Sequence, residues 1–322
     1  MLATALAWLP SSPAPVGAQS ADVRDRRVAL TFDDLPMTGG SGCDAERVRA
    51  VTEALTGELD ARGLPAAGLA TPGRACLTRD LLRETLGRWR EIGAIVGNHT
   101  ATHPDLNTTP IEAYLADVER GQRLIDAAVE TDGHWFRHPY LHAGDESDKK
   151  AALSAYLAAN GYRVAPVTVD NQEWVYAAVY AAARERGDAG LARRVVDGYI
   201  EHLEECMAYY ERLSRDVFGR EIPQVLLLHA NLLNAERLDR VLDMLEERGY
   251  RFVGLPEALT DPAYAREDTY VGPRGLSWLQ RWAREDGVAI PPEPREAGWV
   301  ADAFQAIQAR GEAGTRHRPA NR

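Results

Sequence analysis

From Val28 onward the chain alternates short apolar runs with longer stretches in which apolar residues recur every three or four positions. That alternation limits the fold more than any other feature. A short continuous apolar run bounded by turns is a strand buried on both faces, and a helix that follows it must cross the sheet and return the chain parallel. The expected strands are Val28 to Phe32, Leu64 to Ala70, Ala94 to Asn98, His134 to Arg137, Tyr162 to Val169, Gln224 to His229 and Tyr250 to Val253. They predict an α/β fold, a distorted (β/α)7 TIM-like barrel over residues 26–262. With 322 residues, 45% of them hydrophobic, the chain is long enough to fill such a core.

The helical stretches carry their own punctuation. Val48, Val51, Leu55 and Leu59 recur at helical spacing, and Gly63 supplies the left-handed residue that ends a helix. Thr109, Pro110 and Glu112 read as cap, first turn and capping box of a later helix. Asn234 reads as the cap of a helix carrying Leu238, Val241, Leu242 and Leu245, ended by Gly249. Residues 175–220 exceed one crossover and predict two helices broken near Gly187 to Gly190, a helical insertion in the barrel. Residues 263–322 form a C-terminal extension with an amphipathic stretch at Leu276 to Ala283 and a loose tail from Gly311. No internal repeat appears.

Met1 to Pro10 are small or apolar, and Val16-Gly17-Ala18 offers small residues at the positions a signal peptidase reads. Residues 1–18 therefore read as an export signal, which places the protein in the periplasm or outside the cell. The run is far short of the roughly 20 residues of a transmembrane anchor. A net charge of -11 repels a phosphate backbone and disfavours nucleic acid as a partner. Three cysteines lack zinc-ribbon spacing. Cys43 and Cys76 read either as a disulfide or as two buried thiols, and Cys206 as core.

The unusual polar residues fall at strand ends. Asp33 and Asp34 end the first strand, His99 the third, Arg137 the fourth, Asp170 the fifth and His229 the sixth. Taken singly, paired aspartates are a turn or cap, and a histidine is a satisfied core or surface residue. In a parallel barrel, however, every carboxyl end opens on the same face, so these residues converge. His99 and His103 are four apart and can aim two imidazoles at one ion. A carboxylate would complete a set with an open position for water, the arrangement of a hydrolytic metal site.

On these residues the chain resembles the polysaccharide deacetylases of carbohydrate esterase family four, the NodB homology domain. The motifs are Thr31-Phe32-Asp33-Asp34, His99-Thr100-Ala101-Thr102-His103-Pro104, Arg137-His138-Pro139-Tyr140, Asp170 to Trp174 and Leu227-Leu228-His229. The resemblance implies a hydrolase of carbon–nitrogen bonds that removes N-acetyl or O-acetyl groups from a carbohydrate. It implies a divalent metal, zinc with cobalt, nickel or manganese as alternatives, held by Asp34, His99 and His103. It further implies Asp33 as the base acting on the metal-activated water and Arg137 as its partner. The Tyr140 backbone N–H would bind the oxyanion, and His229 would be the acid, with Asp170 favouring its charged form. Pro139, Tyr140, Trp174 and Leu227 would line the substrate site.

The chain departs from the family in having Leu35-Pro36 after its aspartate pair, and in a stretched fourth motif. Trp135 and Trp174 read either as sugar-stacking or as core rings. Competing functions are a hydrolase of non-sugar amides and a catalytically silent carbohydrate-binding module. The export reading has a direct check: mass spectrometry of protein recovered from its host should show a mature chain beginning near Gln19.

Overall fold

A computed structural model describes residues 25–38, 44–74 and 77–316, side chains from 311 onward excepted. The expected leader, Cys43 and Cys76 lie outside the described residues. Among the described residues seven strands occur: β1 (Arg26–Leu35), β2 (Ala66–Ala70), β3 (Ile95–Asn98), β4 (His134–Phe136), β5 (Tyr162–Val164), β6 (Gln224–His229) and β7 (Tyr250–Phe252). Between them run α1 (Ala45–Ala61), α2 (Arg79–Glu91), α3 (Ile111–Asp126), α4 (Ser147–Ala159), α5 (Glu173–Glu185), α6 (Ala189–Phe218) and α7 (Leu232–Glu247). After β7 come α8 (Leu255–Ala258), α9 (Trp278–Glu285) and α10 (Gly298–Arg316).

The strands pair in parallel in the order β5-β4-β3-β2-β1-β6. An isolated bridge from Val169 to Leu226 brings the chain after β5 back against β6 and closes the ring. β7 pairs only with the first three residues of β1, so the seventh strand stands at the ring's amino end. The distorted (β/α)7 barrel predicted from the sequence is the fold observed.

Strand periodicity then sorts the side chains. Val28, Leu30 and Phe32 join the core shared with the surrounding helices, where Phe32 meets Trp89 at 5.3 Å between ring centroids. Ala29, Ala67, Leu69, Trp135, Ala165 and Val225 form a separate, mostly small-residue cluster, with Val253, Leu255 and Ala258. Thr31 and Asp33 follow Ala29 in the same parity, and Arg137 follows Trp135, so the polar residues sit toward the carboxyl end of that inner row.

Several expected boundaries shift for local reasons. β2 starts at Ala66, because Pro65 has no N–H to give to a ladder. β5 stops at Val164, since the Arg137 side chain takes the carbonyls of Ala165 and Pro166. Thr109 does not cap α3; Pro110 is the cap residue and offers no side-chain hydrogen bond. Nor does Asn234 cap α7: the cap is Asn231, whose side chain accepts from the Asn234 N–H at 3.0 Å. The break at residues 186–188 between α5 and α6 falls as expected, with Gly187 at φ 67°. Cys206 is buried in α6.

The extension packs closely on the barrel's helices. Ser277 and Gln280 form the capping box of α9, and the Trp278 N–H donates to the Val167 carbonyl at 2.7 Å. Trp282 is buried against Phe218 and Tyr264. α10 continues to Arg316, so the first part of the expected loose tail is helical. Trp282→Ala should cost about 3–5 kcal/mol, read as a lowered midpoint in chemical denaturation.

Candidate active site

Two adjacent aspartates on a regular strand would point to opposite faces. The register between β1 and β2 slips between Asp33 and Leu35, leaving Asp34 as a bulged residue with φ 67°. The bulge re-aims the Asp34 side chain, and both carboxylates enter the same cavity. His99 follows β3, its N–H donating to the Ala70 carbonyl at 2.8 Å. A tight turn then carries His103 back, with Thr100 at φ 63° and His103 at φ 61°. That turn is pinned by the Thr100 N–H on Asn98 Oδ1 and the His103 N–H on Thr100 Oγ1.

The outcome is a cluster in which Asp34, His99 and His103 each offer a ligand atom, all within 4.8 Å of one another. His99 Nδ1 lies 2.9 Å from the Arg137 carbonyl, which fixes the ring and leaves Nε2 to the cluster. Burial would raise the Asp34 pKa, but Arg74, with His99 and His103, pulls it down to about 2. Burial, with the neighbouring His99, lowers His103 to about 4. At neutral pH the pair is thus a carboxylate and a neutral imidazole, the forms that ligate cations.

Arg137 is completely buried and spans the barrel. Its Nη1 donates to both oxygens of Asp33 at 3.1 and 3.3 Å, Nη2 to Thr31 Oγ1 at 3.0 Å, and Nε to the Ala165 carbonyl at 2.7 Å. Tyr140, in a turn after β4, has φ 56°, and its ring meets His103 edge-on at 4.5 Å. Among the described residues, non-glycine positive φ values occur at Asp34, Thr100, His103, Tyr140, Leu141 and Gln172. All but Thr100 and Gln172 line the cavity themselves, and those two adjoin residues of the site, so backbone strain is concentrated here.

At the end of β6, His229 Nδ1 lies 2.8 Å from Glu173 Oε2. Glu173 is buried and also accepts from the side-chain amides of Asn231 and Asn234. Burial alone would lower the His229 pKa; the hydrogen bond and charge of Glu173, with Asp34 and Asp33, raise it to about 9. Asp170 lines the cavity, and desolvation raises its pKa. It acts on His229 through charge, whereas the hydrogen-bonding partner is Glu173, three residues on. Glu173 is thus a partner of His229 additional to the expected Asp170.

A cavity of about 740 Å³ joins Asp33, Asp34, His99, His103, Asp170, His229, Tyr140, Trp174 and Leu227. Pro139 is buried behind Tyr140 and is not part of the lining. Trp135 is core, under the guanidinium of Arg163, whereas Trp174 is 47% exposed. Three participants escaped the sequence reading. Glu173 had one signal, a lone carboxylate opening the apolar helix Glu173-Trp-Val-Tyr-Ala-Ala-Val-Tyr. Asn234 was visible but misassigned as a cap. Arg74, which donates to Asp34 Oδ1 at 2.7 Å and to the Met37 carbonyl, sits in a loop with no pattern to mark it.

Residues 20–163 match the polysaccharide deacetylase family model. The matched span, just under half of the chain, is similar to that family. The matched span holds Asp33, Asp34, His99, His103, Arg137 and Tyr140; Glu173 and His229 lie beyond it. The chain is 25% identical over 185 residues to a chitin deacetylase of Colletotrichum lindemuthianum, covering 55% of this chain and 61% of that relative. The solved structure of the chitin deacetylase from that fungus aligns with a TM-score of 0.49 at 21% identity, over 74% of this chain and 89% of the other. A family 4 carbohydrate esterase from Streptomyces lividans, solved with acetate, aligns at 0.44 and 21%, over 70% and 91%.

The His229–Glu173 pair makes a direct spectroscopic prediction. An unfolded-state imidazole titrates near 6.5, so a folded value of about 9 keeps His229 protonated through neutral pH and neutral only above that value. In Glu173→Gln, NMR titration should show the His229 proton leaving at distinctly lower pH.

Proposed function

We propose that this chain is a metal-dependent hydrolase that removes N-acetyl or O-acetyl groups from a carbohydrate. One observation carries the reading: a single cavity holds the Asp34, His99 and His103 cluster, a carboxylate gripped by arginine, and an imidazole gripped by glutamate. The donor set fits a divalent ion of the zinc type. It comprises two imidazoles and one carboxylate, with His99 oriented through its other ring nitrogen. Such an ion, when bound, supplies Lewis acidity that acidifies water and polarises an acyl carbonyl.

The chain's own residues supply the proton transfers. Asp33, held by Arg137 on both oxygens, takes the proton of the attacking water. Its neighbour Asp34 is turned away by the bulge to act as a ligand, so the two carboxylates do different work. The Tyr140 N–H donates to the oxygen that gains charge as the carbonyl becomes tetrahedral. Leu227 offers an apolar wall for the acetyl methyl. His229 then gives its proton to the departing nitrogen, which leaves poorly as an anion. Glu173 keeps that proton available at neutral pH. An exported enzyme of this kind meets its carbohydrate in the periplasm or outside the cell.

Acetate release from peptidoglycan, chitin oligosaccharides and acetylated xylan tests the reading; release from none of them would overturn it. Purified protein should carry about one equivalent of divalent metal per chain, and Asp34→Ala should carry far less by elemental analysis. Asp33→Asn should keep its metal while losing about 10²–10⁴-fold in kcat. Loss of metal from that variant would make Asp33 a ligand and reverse the two roles. The activity profile should fall at both ends of the pH range, and Glu173→Gln should move the alkaline limb to lower pH.

A further inference from the structure

Residues 138–142, which carry Tyr140, turn sharply after β4 with two consecutive residues in the left-handed region, Tyr140 at φ 56° and Leu141 at φ 55°. Bulky side chains seldom adopt that conformation, and a pair of them keeps it only where the surroundings fix it. Inside the turn the Leu141 N–H donates to the His138 carbonyl and the His142 N–H to the Pro139 carbonyl, each at 3.0 Å. Those bonds close the turn. They do not fix how it faces the Asp and His cluster.

The grip from outside comes from the C-terminal extension. Gly275 sits so close that an added Cβ would run into the Tyr140 carbonyl oxygen, so the two chains meet only because glycine has none. Arg281, on α9, is 2% exposed, and its Nη2 donates to the Leu141 carbonyl at 2.6 Å. The rest of the guanidinium is matched as well: Nε donates to the Leu276 carbonyl at 3.0 Å, Nη1 to Asp268 Oδ2, and the group lies over the Trp278 ring at 4.0 Å. Lys150 braces Asp268 at 2.9 Å. A buried charge so fully engaged resists displacement. Leu141, thus anchored, packs with Val167 and Leu227, and the extension also holds Val167 through the Trp278 N–H. Neither Gly275 nor Arg281 lines the cavity, and both lie outside the span that matches the family model.

We propose that the C-terminal extension is a working part of the active site, in which Arg281 and Gly275 are positioning residues. They act through residues 138–142, setting the Tyr140 N–H where the oxyanion forms and seating Leu141 beside Leu227 at the acetyl wall. This inference rests on the deacetylase reading above.

The test uses the full chain with its metal and two variants, Gly275→Ala and Arg281→Lys. The first pushes on the turn without altering any charge, and the second keeps the charge but loses the planar fork. Each should lower kcat by about ten- to a hundredfold, the scale of a misplaced oxyanion donor. KM and metal content should stay as in the wild type. An acetamide and an activated acetate ester should lose the same factor, since both gather charge on the carbonyl oxygen. The decisive readout is inhibition by a phosphonamidate that puts tetrahedral phosphorus in place of the acetyl carbon. Its Ki should rise by the factor by which kcat/KM falls. A variant that is merely less stable has fewer active molecules but an unchanged Ki. A wild-type Ki in both variants would overturn the positioning role and leave the deacetylase reading in place. A wild type that releases no acetate from any substrate and does not bind the phosphonamidate would bring down both.

Discussion

The buried guanidinium of Arg137 is the constraint around which the barrel and its site are organised. A charge with no exposed surface survives only when its donors are matched, because removing one partner of a buried pair costs about 3–5 kcal/mol. Here the partners are Asp33 and Thr31 on β1 and two carbonyls that follow β5. One side chain thus ties together strands far apart in the sheet order, at the level where the barrel opens. Ordinary strand geometry below that level gives way to irregular backbone above it.

That irregular backbone is where the site gains its geometry. Regular β-structure would send Asp34 to the face opposite Asp33, and a regular turn would not return His103 to His99. Positive φ values at Asp34, Thr100 and His103 solve both problems. Each is a local strain of order 1–3 kcal/mol, borne by a scaffold rich in buried aliphatic and aromatic side chains. The electrostatics follow the same division of labour: each aspartate has its own arginine, Arg137 for Asp33 and Arg74 for Asp34. His229, which sits beside Asp33 in the β1–β6 ladder, has Glu173 as its own hydrogen-bonding partner.

Much of this was legible beforehand because it depends on periodicity and on position along strands. The seven strands, the convergence of Asp33, Asp34, His99, Arg137 and His229, and the paired helices of residues 173–218 all follow from such patterns. What was not legible depends on three-dimensional neighbours. Asp170 and Glu173 are equally plausible partners for His229 in one dimension, and only the first turn of α5 decides between them. Asn234 looks like a cap because its chemistry suits one, yet the helix begins three residues earlier and turns that amide inward to Glu173. Trp135 and Trp174 are the same residue type near the same site, but strand parity buries one ring and a helix start exposes the other.

The closure of the barrel is uneven. Most neighbouring strands share continuous ladders, whereas the seam between the end of β5 and β6 is stitched by Thr168, Val169 and their few bonds to Val225 and Leu227. The chain leaves this seam straight into Asp170 and Glu173 and re-enters through β6 and His229. The acid side of the site therefore hangs on a seam joined by an isolated bridge, while the ligand side hangs on the ends of β1 and β3. A scaffold arranged this way can vary its outer wall, and hence what it admits, without disturbing the cluster at its centre.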